Sequence, residues 1–509
     1  MAQNIQTNDS STEYKDRLEK VKALREMGIN PYLDKFDRTH TAVEAVAFGE
    51  KNVRVVEEII KKPDPKVKLC GRLMAYRSHG RLSFGKIQDG SGRIQICLMR
   101  DILGEEKCKF FEKKIDVADF IGVTGELFRT KHGEITLLVT DFVLLSKALR
   151  PLPEKFHGLQ DQEAKYRQRY LDLVMNPDTK KIFELRSNFI RFLREFYWNK
   201  GFTEIECPVM ASSASGALAK PFTTHHNALD ADFFLRIAIE TYQKVAIGGG
   251  FEKVFEIGKC FRNEGMDPSH LQEFTMNEFY SAYWNYKDLM KFTEEMFEFL
   301  LKKTIGSLEV DIKDRDGNIH KVNFKRPWKA ISIRDVILED SGIDVNKCKT
   351  EKELLKATKD KKIVIEDAEK LSRGNLIDHL YKKVSRPKMV GPVFLIQHPT
   401  DLSPLARRND ENPDIVDRFQ LVVNGWEIVN AYSELIDPLE QAKAFSDQSE
   451  AQKKGDEEAH GKDDEFVLAM EHGFPPIAGW GMGIDRIVAL LTQQDNLKDT
   501  VLFPLMKQA

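Results

Sequence analysis

Cysteine is scarce in this chain, with six residues among 509, and no two of them form a C-x-x-C pair. Zinc knuckles need such pairs, so a structural zinc site is not expected. Scattered single thiols are typical of small buried apolar residues and are consistent with a reducing compartment. The cysteine content therefore favours a cytoplasmic protein.

Four further features are missing. No segment approaches the roughly 18 consecutive apolar residues of a membrane helix, and the polar segment Met1–Ser11 lacks the apolar centre of a signal peptide. The phosphate-loop pattern G-x-x-x-x-G-K-[S/T] is absent, which argues against a P-loop ATPase. The net charge is only -3, from 77 basic and 80 acidic residues, which excludes a chain-wide basic surface but permits a local basic face. We expect no membrane partner.

Length and hydrophobic pattern divide the chain into three parts. Its 509 residues exceed the roughly 250–300 at which a single core stops growing, so several domains are expected. Residues 1–65 are predicted as an N-terminal helical extension, with apolar residues at helical spacing over 12–29. Residues 66–150 form a β-rich domain, and residues 151–509 form a larger mixed domain with a small Lys-rich helical insertion at about 345–390.

Short β-rich runs dominate residues 66–150, and turn signals such as Asp89-Gly90 separate them. A helix is predicted near 101–113, and strands are predicted at Val67–Leu73, Leu82–Gln88, Arg93–Met99, Phe120–Leu127 and Ile135–Leu145. Five strands and a helix in this arrangement predict a small Greek-key barrel of the OB type.

The predicted barrel carries a candidate surface for single-stranded nucleic acid. OB folds stack bases on aromatic rings and read base edges with polar side chains. Phe84 is the candidate for stacking, and the candidates for hydrogen bonds to bases are Arg77, Gln95 and Glu134. Because OB folds also bind sugars and proteins, the barrel alone indicates only a binding module.

A polar loop between two predicted strands gathers charged residues in the second half of the chain. The pattern predicts a strand, a polar loop and a second strand that form a hairpin, with Arg262 at the end of the first strand. Arginine binds phosphate in a bidentate manner, so the loop is a candidate triphosphate site. The predicted nucleotide-binding residues here are Arg262, Glu264, His270 and Phe274.

Two other stretches accompany this loop. In Gly479-Trp-Gly481-Met-Gly483-Ile-Asp-Arg486, alternating glycines leave one face of a strand bare, so that adenine can lie against the backbone. Arg486 begins the following helix and can reach a phosphate. The stretch Gly201–Pro208 follows an amphipathic helix over 181–200 and predicts a strand that stops at proline.

These three stretches, in this order, resemble the three motifs of class II aminoacyl-tRNA synthetases. Three more resemble the lysyl-tRNA synthetases of subclass IIb: Thr224–Asp230, Ser403–Arg408 and Glu427–Leu435. The resemblance covers residues 12 to 507 and implies an α+β fold. An N-terminal OB-type β-barrel would bind the anticodon, and the class II catalytic domain would be built on a mostly antiparallel sheet flanked by helices.

The resemblance implies that ATP and L-lysine form a lysyl-adenylate, from which the lysyl group passes to tRNA(Lys). As the catalytic pair, Arg262 would meet the α-phosphate and Arg486 the γ-phosphate. The implied ATP-binding residues are Arg262, Glu264, His270, Phe274, Glu427, Gly483 and Arg486. The anticodon-binding residues would be Arg77, Phe84, Gln95 and Glu134.

A lysine pocket rich in carboxylates is also implied, and a cationic substrate needs acidic partners in a partly dry site. Glu240 would meet the α-amino group, while Glu278, Tyr280 and Glu434 would surround the end of the side chain. The full implied set is Gly216, Glu240, Glu278, Tyr280, Asn430, Tyr432 and Glu434.

Magnesium is the implied cofactor and ATP the co-substrate. The family has two metal-binding glutamates at either end of one strand. The second is Glu427, whereas the first position holds Gln420. An amide is a poorer magnesium ligand than a carboxylate, so the number of bound ions stays open. The loop sequence His270-Leu271-Gln272-Glu273 also departs from the family's usual His-Asn/His-Pro-Glu.

Other functions remain as alternatives. An inactive paralogue that binds RNA or a protein would not need the intact set Arg262, Glu264, Glu427 and Arg486. A protein-lysylating relative would lack the anticodon domain. An aspartyl or asparaginyl enzyme would need arginines for its substrate rather than three glutamates. A homodimer is expected, because the first motif forms a two-fold interface in this family.

Overall fold

The computed structural model describes residues 12–507 apart from 55, 154–158, 214–215, 218, 315–316, 404–405 and 454–462. The chain forms two compact units, Met1–Gly158 and Leu159–Ala509. Within the described residues, no helix combines the length and the apolar character needed to cross a membrane.

The first unit contains a closed five-stranded barrel. Its strands are β1 (Val67–His79), β2 (Leu82–Gln88), β3 (Arg93–Met99), β4 (Phe120–Arg129) and β5 (Ile135–Ser146). Its helices are α1 (Thr12–Glu26), α2 (Ala42–Asn52), α3 (Val56–Lys61), α4 (Arg100–Leu103) and α5 (Glu105–Lys114). The strands close in the order β1-β2-β3-β5-β4, and only the pair β3 and β5 is parallel. The predicted OB-type barrel is confirmed.

Alternating apolar residues fill the barrel because successive side chains of a strand point to opposite faces. Leu69, Ile96 and Leu137 are each at most 1% exposed. The single helix predicted near 101–113 is instead divided into α4 and α5. Gly104 between them has a φ of +91°, a backbone conformation that residues with a Cβ rarely adopt.

The second unit is larger. Its helices are α6 (Gln162–Arg167), α7 (Arg169–Met175), α8 (Pro177–Asn199), α9 (Glu240–Gly248), α10 (Tyr286–Thr304), α11 (Ile333–Ser341), α12 (Glu351–Asp360), α13 (Arg373–Val384), α14 (Pro438–Lys453), α15 (Asp464–Glu471) and α16 (Ile484–Leu491). Its strands are β6 (Thr203–Glu204), β7 (Met210–Ala211), β8 (Phe222–His226), β9 (Ala231–Leu235), β10 (Lys253–Phe261), β11 (Glu273–Ala282), β12 (Glu309–Lys313), β13 (Ile319–Asn323), β14 (Lys329–Ser332), β15 (Val393–Ile396), β16 (Arg418–Val423), β17 (Trp426–Ser433) and β18 (Ile477–Gly483).

Eight of these strands form one sheet in the order β14-β15-β16-β17-β18-β11-β10-β6. All neighbouring pairs are antiparallel except β14 with β15 and β10 with β6. The mostly antiparallel sheet with flanking helices is therefore confirmed. The strand predicted to lead to Pro208 is only the two-residue β6, and the Lys-rich segment near 345–390 forms helices α12 and α13.

One face of this sheet carries the main core of the second unit. Phe255, Phe279, Phe419 and Trp480 are at most 1% exposed, and they belong to one apolar cluster with residues of α8 and α10. The Trp480 indole also donates a hydrogen bond to Thr293 of α10 at 2.9 Å. Because side chains alternate along each strand, the neighbouring residues point to the opposite, open face.

Candidate active site

The open face of the sheet brings together residues that are distant in the chain. Directly opposed residues of antiparallel strands point to the same face. One row across four strands consists of Glu278, Gly481, Asn430 and Gln420. The adjacent row consists of Tyr280, Gly479, Tyr432 and Arg418. Four predicted lysine-binding residues therefore lie on the same surface as the bare backbone of Gly479 and Gly481.

A cavity of about 260 Å³ opens beside these rows. Its lining includes all seven predicted ATP-binding residues: Arg262, Glu264, His270, Phe274, Glu427, Gly483 and Arg486. Asn430 and Gly481 from the central row also line it. Residues from β11, β17, β18 and α16, and from the loop before β11, thus meet in one space.

The two arginines of the cavity are held loosely. The Arg262 guanidinium lies 5.1 Å from the centroid of the Phe274 ring, and its Nε donates to the Ile237 carbonyl at 3.4 Å. Arg486 Nη1 donates to the Glu427 carbonyl at 3.4 Å. These hydrogen bonds are long, so both guanidinium groups keep most of their donor capacity for an anionic ligand.

The loop between β10 and β11 is braced by its own side chains. His270 Nδ1 lies 2.7 Å from Asp267 Oδ2 and donates to it, which leaves Nε2 for a ligand. Burial raises the pKa of Asp267, but hydrogen bonds from Ser269 and His270 outweigh it and lower the pKa to about 2. The Gln272 amide donates to the Gly265 carbonyl at 3.0 Å. Gln272, one of the departures from the family pattern, therefore ties the two ends of the loop together.

The glycines of β18 leave unequal space above the strand. A Cβ at Gly481 would come no closer than 3.4 Å to its nearest neighbour, the Met276 methyl group. A Cβ at Gly479 would lie 2.0 Å from Glu434 Oε1 and 2.4 Å from the Tyr280 ring. Gly481 thus forms open cavity floor, while Gly479 permits a carboxylate to pack directly on the backbone.

Three predicted lysine-binding carboxylates are buried near these rows: Glu278 belongs to the first row, Glu240 begins α9 and Glu434 directly follows β17. Glu240 and Glu278 are each 6% exposed, and Glu434 is 1% exposed. The Tyr432 hydroxyl donates to Glu240 Oε2 at 2.9 Å, and the Tyr280 hydroxyl lies 3.5 Å from Glu278 Oε2. A buried set of carboxylates is costly without cationic partners, so this pocket is built for positive charge.

Glu278 is held in its neutral form in the free protein. Burial is the main cause and repulsion by Glu240 the next, and together they raise the pKa of Glu278 to about 8 although the Arg262 charge opposes them. A cation placed beside Glu278 would favour its ionised form.

Gly216 lies beside Glu240, as its predicted role requires. Its φ is +89°, and a Cβ there would come within 3.1 Å of the Ala238 Cβ and 3.4 Å of the Glu240 Cβ. A side chain at this position would therefore press on the carboxylate pocket, and its absence leaves the backbone accessible.

Two residues that had no predicted role contact residues of the predicted lysine-binding set. Lys244, one helical turn after Glu240 on α9, forms ion pairs with Glu240 and Glu434. Arg418 donates to Asn430 Oδ1 at 2.8 Å and to the Ser403 hydroxyl at 2.7 Å. The i,i+4 spacing from Glu240 could have indicated Lys244, whereas no sequence signal pointed to Arg418.

Gln420 shares a row with Asn430 but hydrogen-bonds elsewhere. Its Oε1 lies 3.3 Å from Nε2 of the buried His398, which donates to it. Burial is the main cause that lowers the pKa of His398 well below its usual value, and the Arg418 charge adds to it. In the part of the chain that the structure describes, no group of three or more His, Cys, Asp or Glu side chains is arranged to hold a metal ion.

This arrangement fits magnesium only as a partner of the nucleotide. Mg²⁺ keeps several waters and is usually held by one or two carboxylates together with substrate phosphates. Glu427 and Glu264 line the cavity and can supply such carboxylates. Gln420, with its amide oxygen already engaged, contributes no charge.

The four candidates on the barrel share its outer face. Arg77 lies opposite Phe84 in the pairing of β1 and β2, and Lys86 lies opposite Gln95 in the pairing of β2 and β3. Lys86 Nζ forms an ion pair with Glu134 Oε1 at 3.0 Å. An aromatic ring, two basic groups, an amide and a carboxylate thus form one surface, which suits bases and phosphates.

Comparison with known families agrees with this geometry. The family described as tRNA synthetases class II (D, K and N) matches residues 161–507, which include the whole cavity and the carboxylate pocket. The OB-fold nucleic acid binding domain matches residues 67–145. The chain belongs to the class II tRNA synthetases.

Its similar relatives narrow the resemblance further. A lysine–tRNA ligase of Carboxydothermus hydrogenoformans is 46% identical over 493 residues, which are 97% of each chain. The lysine–tRNA ligase of Aquifex aeolicus is 46% identical over 91% of this chain and 78% of its own. That of Thermoanaerobacter pseudethanolicus is 43% identical over 96% of this chain and 95% of its own.

Proposed function

We propose that this chain is a lysine–tRNA ligase, which activates L-lysine with ATP and transfers it to tRNA(Lys). The observation that carries the proposal is the shared face of the sheet. A cavity with two partly free arginines adjoins a buried pocket of three carboxylates. The cavity binds a polyanion, and the pocket binds a cationic molecule. Where the two meet, a carboxylate of the cationic molecule can be joined to a phosphate of the polyanion.

In the activation step, the protein positions the reactants and neutralises charge. Arg262 meets the α-phosphate, where negative charge develops as the lysine carboxylate attacks, and Arg486 meets the γ-phosphate of the leaving pyrophosphate. Phe274 stacks on the adenine, which lies over Gly481 and Gly483. No protein base is required, because the attacking carboxylate is already ionised. Bound magnesium would supply further positive charge to the phosphates, with Glu427 as a ligand.

In lysine recognition, each of the two ammonium groups of the substrate lies beside at least one carboxylate of the pocket. Glu240 receives the α-ammonium group, while Glu278, Tyr280 and Glu434 surround the side-chain ammonium. Glu434 Oε1 makes no hydrogen bond with the described residues, although it is buried, so it has acceptor capacity for a ligand. An amino acid without the second ammonium group would leave this acceptor unpaired, which is the basis for rejecting it.

For tRNA, we propose that the outer face of the barrel binds the anticodon through Arg77, Phe84, Gln95 and Glu134. Phe84 stacks a base and the polar side chains contact base edges.

We also propose that the enzyme acts as a homodimer in the cytoplasm. Large apolar side chains near the first motif support a partner surface: Trp198, Val209 and Met210 are 57%, 43% and 52% exposed.

Amino-acid-dependent ATP–pyrophosphate exchange tests the proposal without tRNA. We expect exchange with lysine and none with aspartate or asparagine, across a magnesium titration. The variant Glu434→Gln keeps the size of the side chain, removes its charge and should lose most lysine-dependent exchange. Absence of exchange with any amino acid, in folded wild-type protein, would overturn the proposal and favour an inactive paralogue that binds RNA or protein.

A further inference from the structure

Near the proposed substrate pocket, the most deeply buried ammonium group is that of a protein residue, Lys244. The side chain of Lys244 is 2% exposed, yet Lys244 has no part in the mechanism described above. An interior ammonium costs several kcal/mol unless it is well paired. Its position therefore needs a specific cause.

Lys244 contacts two acidic residues of the substrate pocket. Its Nζ pairs with Glu240 on α9 and with Glu434, which directly follows β17. The rings of Tyr280 and Phe466 lie 5.9 and 5.8 Å from Nζ and exclude water from it. The two carboxylates come from distant parts of the chain, and this ammonium contacts both.

The outer oxygens of these carboxylates remain directed to other partners. Glu240 Oε2 accepts from the Tyr432 hydroxyl at 2.9 Å. Glu434 Oε1 lies over Gly479, on the open face of the sheet, and accepts no hydrogen bond from the described residues. Each carboxylate thus uses one oxygen on Lys244 and presents the other away from it.

Lys244 is charged in this setting. Burial by itself would lower the pKa of Lys244, but the negative charges of Glu240 and Glu434 outweigh burial and raise the pKa above its ordinary value. The ammonium is therefore a permanent counter-ion at physiological pH.

We propose that Lys244 is a positioning residue that fixes the separation of Glu240 and Glu434, so that the pocket measures the distance between the two ammonium groups of its substrate. This inference rests on the proposed function, in which Glu240 receives the α-ammonium group and Glu434 the side-chain ammonium. Without Lys244, two adjacent buried carboxylates repel each other and take up new rotamers. The pocket then binds lysine less well and discriminates chain length less sharply.

The variant Lys244→Met keeps most of the side-chain volume and removes the charge. In ATP–pyrophosphate exchange, we expect the KM for lysine to rise about 10-fold or more, because breaking a buried ion pair is strongly unfavourable. The KM for ATP and kcat should change by less than about 3-fold, since uniform substrate binding is lost rather than transition-state contact. The preference for lysine over ornithine, which is one methylene shorter, should fall about 10-fold.

A matched control exists in the first unit. Lys147 is also fully buried and pairs with two carboxylates, Asp116 and Asp119. Lys147→Met should lower the melting temperature without changing the KM for lysine or the ornithine ratio. A loss of stability alone therefore cannot reproduce the effect expected for Lys244→Met.

A second variant covers poor folding of the first. Lys244→Ala removes three carbons and the amine, and n-propylammonium has the same three carbons and amine. Added n-propylammonium should lower the KM for lysine in this variant and not in the wild type. Unchanged KM and ornithine ratio in a well-folded Lys244→Met protein, or absence of rescue in Lys244→Ala, would overturn the inference. If the wild type itself lacked lysine-dependent exchange, the proposed function would fail first.

Discussion

Glu278, in the substrate pocket, favours the binding of a cation but lowers the stability of the folded protein. Its pKa rises from an ordinary value of 4.5 to about 8 because it is buried near Glu240. The folded chain therefore keeps a proton between these two pH values that the unfolded chain has lost. The free energy of unfolding falls as pH rises through this window, because the folded state binds more protons.

Glu278→Gln should remove this penalty. We expect the variant to be more stable than the wild type at pH 8.5 by roughly 1–3 kcal/mol, and to show little difference near pH 4.5. Denaturant unfolding at a series of pH values measures the effect. The control is Glu273→Gln, since Glu273 lies on the same strand with a side chain 49% exposed. If the stability of the two variants changed with pH in the same way, the burial of Glu278 would not be the cause.

At this scale, motifs that are far apart in the sequence predicted residues that the fold brings close together. All seven predicted ATP-binding residues line one cavity, because each belongs to a motif with a recognisable pattern. Lys244 and Arg418 were missed for a physical reason. Their importance comes from contacts with Glu434 and Asn430, which depend on strand register and helix placement rather than on any local pattern.

Among the elements, strand β18 does the most to shape the nucleotide cavity. Its glycines occupy the open face between β11 and β17, while Trp480 and Met482 fill the core beneath. Alanine in place of Gly481 should therefore mainly weaken ATP binding, whereas alanine in place of Gly479 should mainly lower the stability of the fold.

Gly481→Ala should fold normally, because its Cβ meets only ordinary van der Waals contacts at 3.4 Å and beyond. The methyl group enters the cavity, so the KM for ATP should rise roughly 10-fold. Gly479→Ala should instead lower stability by about 1–3 kcal/mol, since its Cβ would lie 2.0 Å from a Glu434 oxygen. Melting curves and pyrophosphate exchange on both variants test this contrast, and equal effects at the two positions would refute it.

The elements themselves were predictable where their patterns were regular. The five barrel strands begin at the predicted residues because apolar alternation and Gly-rich turns mark them. Residues 101–113 read as one helix, since a lone glycine is tolerated in a helical pattern, yet Gly104 separates two helices. The order of the eight strands of the large sheet could not be read from local patterns, because it depends on contacts between distant segments.

On the scale of the whole molecule, the two compact units carry different parts of the proposed activity. Amino-acid activation needs only residues of the second unit, whereas the candidate anticodon surface lies on the first. Changes on the barrel should therefore affect the use of tRNA and leave the formation of the adenylate intact.

Arg77→Gln should raise the KM for tRNA about 10-fold in aminoacylation, since a specific contact to a base edge contributes about 1–3 kcal/mol. Lysine-dependent pyrophosphate exchange should be unchanged. Arg81→Gln serves as control, because Arg81 is 78% exposed at the nearby turn and pairs with Asp101. A loss of exchange in Arg77→Gln, or an equal rise in KM for both variants, would speak against the proposed anticodon surface.

The position of β18 also sets an order of events during synthesis. This strand lies in the middle of the large sheet, between β17 and β11, although it is the last of its strands to be made. Without β18, the other seven strands can pair only as two separate groups, β14-β15-β16-β17 and β11-β10-β6, and each group has an unpaired edge where β18 would lie. Most residues of the site precede β18 in the chain and Arg486 follows it, but only this strand joins the two halves of the sheet. The substrate site therefore cannot be complete before β18 has been made and has paired with both neighbours.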